Sequence, residues 1–168
     1  MNLNLEKNSN SKIICVGPGG SGKDFLRRKL ESKGWKYGVL YTTRPSRVNE
    51  KYGTDYFFVN DQQFNDLKET NQLVEYSVFA HGWQYGTALH IWETCNLFVM
   101  SPNSLRQVKE KYGLSNTFVI YLNTPEDVRR ERLAQRQDAD SVDRRLKTDE
   151  EDVLNFSDFD IKITDPKF

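Results

Sequence analysis

The stretch Gly17-Pro18-Gly19-Gly20-Ser21-Gly22-Lys23-Asp24 constrains this chain more than any other. It follows an apolar run, Ile13-Ile14-Cys15-Val16, and opens a segment, Phe25 to Lys33, with helical spacing. Strand, glycine loop and helix in that order are what a phosphate-binding loop requires. Glycines allow successive backbone N–H groups to turn inward around an anion. The helix N-terminus adds partial positive charge and Lys23 a full one. The stretch fits G-x-x-x-x-G-K, with Asp24 where Ser or Thr is usual. A Gly-rich turn that merely caps a helix accounts for the glycines but not for a lysine at that offset.

The 168 residues fit one domain with a real core. No apolar run approaches a membrane span, and the N-terminus lacks a signal-peptide layout. The expectation is a soluble, cytoplasmic protein. Lys plus Arg balances Asp plus Glu at 24 each, which argues against a nucleic-acid partner. Cys15 and Cys95 lie in apolar runs without metal-type spacing and read as buried free thiols. His81 and His90 lack metal or triad spacing and are assigned no chemistry.

Residues 1–11 read as a flexible leader. Strands are expected over 12–16, 37–41, 55–59, 97–100, 117–122 and 161–164. A hairpin is expected over 73–87, turning at Gly82. Helices are expected over 24–33, 61–70, 102–112, 125–136 and 141–155, the second capped by Asn60 or Asp61. Strands alternating with helices behind a phosphate loop predict an α/β fold with a parallel, helix-covered sheet. The block from Tyr56 to Thr87 interrupts the alternation and reads as an inserted lobe. The expected division is a core over 12–36 and 95–168, an acceptor lobe over about 37–90 and a helical lid over about 130–146.

Arg44 and Arg47 share a loop kinked by Pro45. Two guanidinium forks converging from one loop suit a phosphate, although alone they read better as solvated surface charges. Tyr56 and Tyr85 lie close to glycine turns, where a tyrosine is more often half-buried core than ligand. Glu75 interrupts the apolar run Leu73-Val74-Glu75-Tyr76. It is either a carboxylate at a site or the outward position of an alternating strand. Arg129, Arg130, Arg132, Arg136, Arg144 and Arg145 flank the acidic break at 138–140. They are either solvated helix faces or a set that closes over a transferring phosphoryl group.

Together these elements resemble the guanylate kinase family, from about Lys12 to Asp165. The resemblance rests on Gly17 to Lys23, Thr42-Thr43-Arg44-Pro45-Ser46-Arg47, Gly53-x-Asp55-Tyr56-x-Phe58-Val59, and Leu73-Val74-Glu75. It extends through Tyr85-Gly86-Thr87, Arg132-Leu133-x-x-Arg136, Arg144-Arg145-Leu146 and the ending Phe159 to Asp165. It implies transfer of the ATP γ-phosphoryl to a guanosine monophosphate with Mg²⁺. The ATP phosphates would lie on Gly17, Gly19, Gly20, Ser21, Gly22, Lys23 and Asp24, with Asp24 also toward the metal. Arg44, Arg47, Tyr56 and Tyr85 would hold the acceptor phosphate, and Glu75 and Thr87 would read the guanine edge. Arg132, Arg136 and Arg145 would form the lid side, with Lys23, Arg44, Arg136 and Arg145 stabilising the transferred group. No nucleic-acid or membrane partner is implied, and the expected state is a monomer or homodimer.

The departures are specific. Asp24 replaces a hydroxyl residue, and Leu40 stands where the family has a base-reading serine. Ser101-Pro102-Asn103 stands where the family has aspartates, one of them a guanine reader. The segment after Thr87 is shorter than usual, and the family's closing C-terminal helix is absent after Phe168. Two of four base contacts are therefore lost, and a relaxed or different base choice is the alternative within the kinase class. A non-catalytic guanylate kinase-like module that grips phosphopeptides is the alternative outside it. The intact Gly17, Gly22 and Lys23 favour the enzyme.

Overall fold

A computed structural model describes residues 11–79, 82–135 and 141–168. The leader over 1–10, His81, Arg136 and the break at 138–140 lie outside the described residues.

Four strands make a parallel sheet: β1 (Lys12–Val16), β6 (Leu97–Met100), β7 (Thr117–Leu122) and β8 (Ile161–Ile163), in the order β6-β1-β7-β8. The central strand β1 reads Lys-Ile-Ile-Cys-Val and buries its last four residues, as a strand covered on both faces must. One face carries Ile14, Val16, Phe98 and Val119, packed against α3 (Leu89–Thr94) and α4 (Pro102–Tyr112) through Trp92, Leu105 and Val108. The other carries Ile13, Cys15, Leu97 and Ile120, under Leu26 and Leu30 of α1 (Lys23–Glu31). Burial pushes the Cys15 thiol up to about 12, against the opposing pull of Lys23, so it stays an inert packed group.

A second sheet of mixed direction contains β2 (Tyr41–Thr42), β3 (Phe57–Phe58), β4 (Leu73–Val78) and β5 (Gln84–Ala88), in the order β3-β2-β5-β4. Its small core is Phe64, Leu73 and Ala88, with Phe64 supplied by α2 (Asp61–Glu69). Asn60 caps α2 in a reciprocal box with Gln63, which satisfies two otherwise orphaned N–H groups. The edge strand β4 is covered where the Gln107 side chain bonds both the N–H and C=O of Tyr76. Two further helices, α5 (Glu126–Ala134) and α6 (Val142–Val153), lie between β7 and β8 in sequence.

One expectation is corrected and one element was not foreseen. The strand over 37–41 shrinks to Tyr41–Thr42, because the chain there crosses between sheets and pairs at its ends only. Tyr37 forms an isolated bridge to Leu97, and Leu40 accepts from Phe57 N. Residues 89–94 form the helix α3, whose six residues are too few to show a helical period in sequence.

Candidate active site

The loop at 17–22 leaves the carboxyl end of β1, where open parallel sheets place ligands. Gly22 is the N-cap of α1 at φ 96° and offers no side-chain cap, so the first-turn N–H groups remain open to an anion. Thr124 Oγ1 donates to Ser21 O at 2.9 Å and ties the loop to the segment after β7. Lys23 folds over the loop, its Nζ donating to Gly17 O at 2.7 Å and Pro18 O at 2.8 Å. Ser21 Oγ, which lines the cavity above the loop, is buried and has no hydrogen-bond partner among the described residues. A buried hydroxyl of this kind beside an open helix N-terminus fits a polyphosphate.

A cavity of about 760 Å³ opens over this loop. Its lining includes Gly17 to Asp24 on one side and Arg44, Arg47, Tyr56 and Tyr85 on another. Arg132, Arg144 and Arg145 enter from α5 and α6, and Leu40, Met100, Ser101 and Ser104 form a further wall. Candidate residues spread from Gly17 to Arg145 in sequence therefore meet around one space. Arg136 lies outside the described residues.

Arg44 is not a surface arginine: only 4% of it is exposed. Its Nη2 donates to both Glu50 carboxylate oxygens at 2.7 and 2.9 Å, its Nη1 to Pro45 O at 2.7 Å and its Nε to Tyr85 Oη at 3.1 Å. The Tyr56 ring lies 5.3 Å from the guanidinium carbon. Arg47 is half-buried and also reaches Glu50, at 3.3 Å. Burial alone would raise the Glu50 carboxyl, but bonds from Arg44 and from the Arg47 N–H outweigh it and hold it below the usual glutamate value. Glu50 went unnoticed in the sequence, where it is one charge in a polar loop.

Glu75 is 2% exposed, which removes the outward-facing reading. It stands opposite Thr87 across the β4–β5 ladder, and Thr87 Oγ1 donates to its Oε1 at 2.6 Å. Both residues lie behind the cavity wall rather than on it. Burial raises the Glu75 carboxyl above the usual range, partly offset by bonds from Ser104 and Thr87. Leu40 is buried at the same end and offers no polar group. Asp24 lies on the cavity side of α1, mostly exposed, 3.8 Å from Arg27 Nε.

Asp149 of α6 is a second residue that sequence reasoning missed, being one acid in a charged helix. Its Oδ2 accepts from Gly19 N at 2.7 Å and lies 3.8 Å from Arg129 Nη1. Nearby Asp152 is raised by burial, opposed by Arg106 and reinforced by Asp149. Arg132 joins the loop to the chain's last residues, donating to Gly20 O at 3.0 Å and Pro166 O at 2.8 Å.

The guanylate kinase family model matches residues 9–168. The chain belongs to the guanylate kinase family. It is 31% identical over 164 residues to a guanylate kinase of Streptococcus thermophilus, covering 90% of this chain and 77% of that one. It is 28% identical over 170 residues to one from Prochlorococcus marinus, covering 94% and 90%. The crystal structure of guanylate kinase from Anaplasma phagocytophilum superposes with a TM-score of 0.71 at 20% identity, over 92% of this chain and 76% of that one. That likeness shows the fold: α/β, with a parallel sheet, a mixed sheet and helices. Among the described residues, no helix is long and apolar enough to cross a membrane.

Proposed function

We propose that this chain transfers the γ-phosphoryl group of ATP to GMP or dGMP. The observation that carries the reading is the single cavity joining the loop at 17–24 to the Arg44–Tyr56–Tyr85 cluster, with arginines of α5 and α6 on a third side. Phosphoryl transfer is chiefly positioning and charge stabilisation, and that is what these groups provide. Backbone N–H groups at 19–22 and Lys23 hold the donor phosphates. Arg44, Arg47, Tyr56 and Tyr85 hold the acceptor phosphate in line with them. Arg132, Arg136 and Arg145 belong to a lid over about 130–146 that excludes water. Bound Mg²⁺ neutralises charge on the polyphosphate, and the Asp24 carboxylate is a hard oxygen donor at the correct end of the cavity to hold it directly or through water. In this reading residues 37–90 form the acceptor lobe and the parallel sheet the donor core.

Glu75 supplies the preference for guanine, since its oxygens match the adjacent N1–H and exocyclic amine that adenine lacks. Leu40 favours a second reading, relaxed base choice, because it brings no polar group to the base end of the cavity. A coupled ADP-release assay with ATP and Mg²⁺ across the ribo- and deoxynucleoside monophosphates decides between them. GMP or dGMP turned over fastest is the expected result. Equal rates for all bases would favour the second reading, and turnover of none would refute both.

A further inference from the structure

Asp149 of α6 and Arg129 of α5 meet at the phosphate loop. The Asp149 Oδ2 atom that accepts from Gly19 N at 2.7 Å is also the atom 3.8 Å from Arg129 Nη1, so one oxygen lies between two donors. It bonds the loop amide and stops short of the guanidinium. Charge-assisted bonds from N–H to carboxylate settle at about 2.7–2.9 Å, so a shift of about 1 Å would complete the second bond.

Arg129 has the capacity for that bond. It is 4% exposed, and its Nε and Nη1 have no hydrogen-bond partner among the described residues. A buried cationic donor left unpaired is destabilising and rare in native folds. Its place beside the loop is fixed through the backbone. A Cβ built at Gly20 would meet Arg129 O at 3.0 Å and its Cα at 3.3 Å, and Arg132, one turn on, donates to Gly20 O at 3.0 Å. The guanidinium therefore stays within reach of Asp149 when the carboxylate leaves Gly19. Asp149 lines the cavity and Arg129 does not, so an effect of Arg129 on a bound nucleotide passes through Asp149.

We propose that Arg129 is a positioning residue for the donor nucleotide: it receives the Asp149 carboxylate when a phosphate oxygen takes the Gly19 N–H. The exchange gives Asp149 a second charge-assisted bond in place of the first and pairs donors that are unpaired while it sits on the loop. It also sets a cation against the displaced carboxylate, so that Asp149 and the polyphosphate do not face each other as bare like charges. Gly19 remains the shorter and stronger of the two contacts, and Arg129 lessens the penalty of leaving it without cancelling it. The inference rests on the placement of the donor phosphates on this loop in the reading above.

The test is a double-mutant cycle on ATP affinity, read by calorimetry in the parent, Arg129→Met, Asp149→Ala and the two combined. GMP affinity and melting temperature serve as controls for the fold. Arg129→Met should bind ATP roughly tenfold more weakly, because Asp149 then leaves Gly19 with no partner to receive it. In the Asp149→Ala background the same substitution should change ATP affinity by less than about twofold. KM for ATP should follow the affinity, with kcat and KM for GMP little moved. Arg129→Lys, which keeps a cation in place, should recover part of the loss, and it replaces Arg129→Met in the cycle if that variant does not fold. A parent that binds ATP, with affinity unchanged in Arg129→Met or lowered equally in both backgrounds, overturns the proposal and leaves the donor reading standing. A parent that binds no ATP overturns that reading and the proposal with it. Equal loss for ATP and GMP marks a structural role and also overturns the proposal.

Discussion

The carboxylate of Asp149 sits on the phosphate loop, accepting the Gly19 N–H at 2.7 Å across 130 residues of sequence. A Cβ built at Gly19 would meet that oxygen at 2.7 Å, so the approach depends on the glycine. An anionic oxygen on a loop amide occupies the kind of position a phosphate oxygen takes.

With the donor phosphates on this loop as proposed, ATP would displace Asp149 from Gly19. Asp149→Ala should bind ATP more tightly, on the order of fivefold, because a charge-assisted bond no longer has to be broken. Calorimetric titration with ATP checks this; unchanged or weaker affinity in the variant refutes displacement.

Lys23→Ala should lose turnover by at least about a hundredfold while folding normally. Its Nζ bonds the cavity-side loop carbonyls of Gly17 and Pro18, and water can replace it there. Thermal unfolding should move by no more than a few degrees. Near-normal kcat in the variant would sink the kinase assignment.

Arg44→Lys should weaken GMP binding markedly and ATP binding little, since an ammonium cannot reproduce three separately directed nitrogens. Arg47→Lys should do the same more mildly, its side chain being more exposed. Calorimetry with each nucleotide reads both effects, and unaltered GMP affinity would place the arginines outside the acceptor site.

Glu50 gives a pH signature. Its folded carboxyl lies below the unfolded value, so its contribution is present above that value and is lost as pH falls through the folded one. Melting temperatures from pH 7 to pH 3 should fall less steeply below about pH 4.5 in Glu50→Gln than in the parent. Parallel curves would show that the Arg44–Glu50 pair contributes nothing to stability.

For Glu75 the sign reverses. Burial raises its folded carboxyl, so its stabilising contribution is full below the unfolded value and disappears as pH rises through the folded one. Glu75→Gln should therefore melt no lower than the parent at pH 7, while kcat/KM for GMP drops and the gap to AMP narrows. A variant that is less stable yet keeps its base ranking would contradict both halves.

The parts legible in sequence were those with a local cause. Gly17 to Lys23 declares a loop by its glycines, β6 and α4 appear within their expected bounds, and the pair Asn60-Asp61 announces a helix start, which falls with Asn60 as the cap. The rest depends on partners distant in the chain. Glu75 looked equally like an outward strand position, because nothing local shows that α4 covers that face of β4 through Ser104 and Ser77. Glu50 and Asp149 looked like ordinary surface acids until folding brought Arg44 to one and Gly19 to the other. Arg44 and Arg47 carried the same composition whether solvated or gathered, and only the fold separates a buried residue from a half-buried one.

The crossing at Tyr37 has a further consequence. Both passages of the chain between the sheets run side by side: Gly38 N donates to Leu97 O, and Asn96 N and Leu97 N both reach Lys36 O. A Cβ at Gly38 would lie 2.5 Å from Phe98 and 2.9 Å from Ile91, so this stem is closed about as tightly as a backbone allows. Everything from Val39 to Leu89 leaves and returns through one bonded neck. Its end-to-end closure is already fixed by the neck, so length changes within it carry only the slow logarithmic entropy of a longer loop. New acceptors can thus be tried by grafting that whole segment, with the phosphate loop left in place and the contacts of Val74 with the sheet and of β4 with α4 carried over.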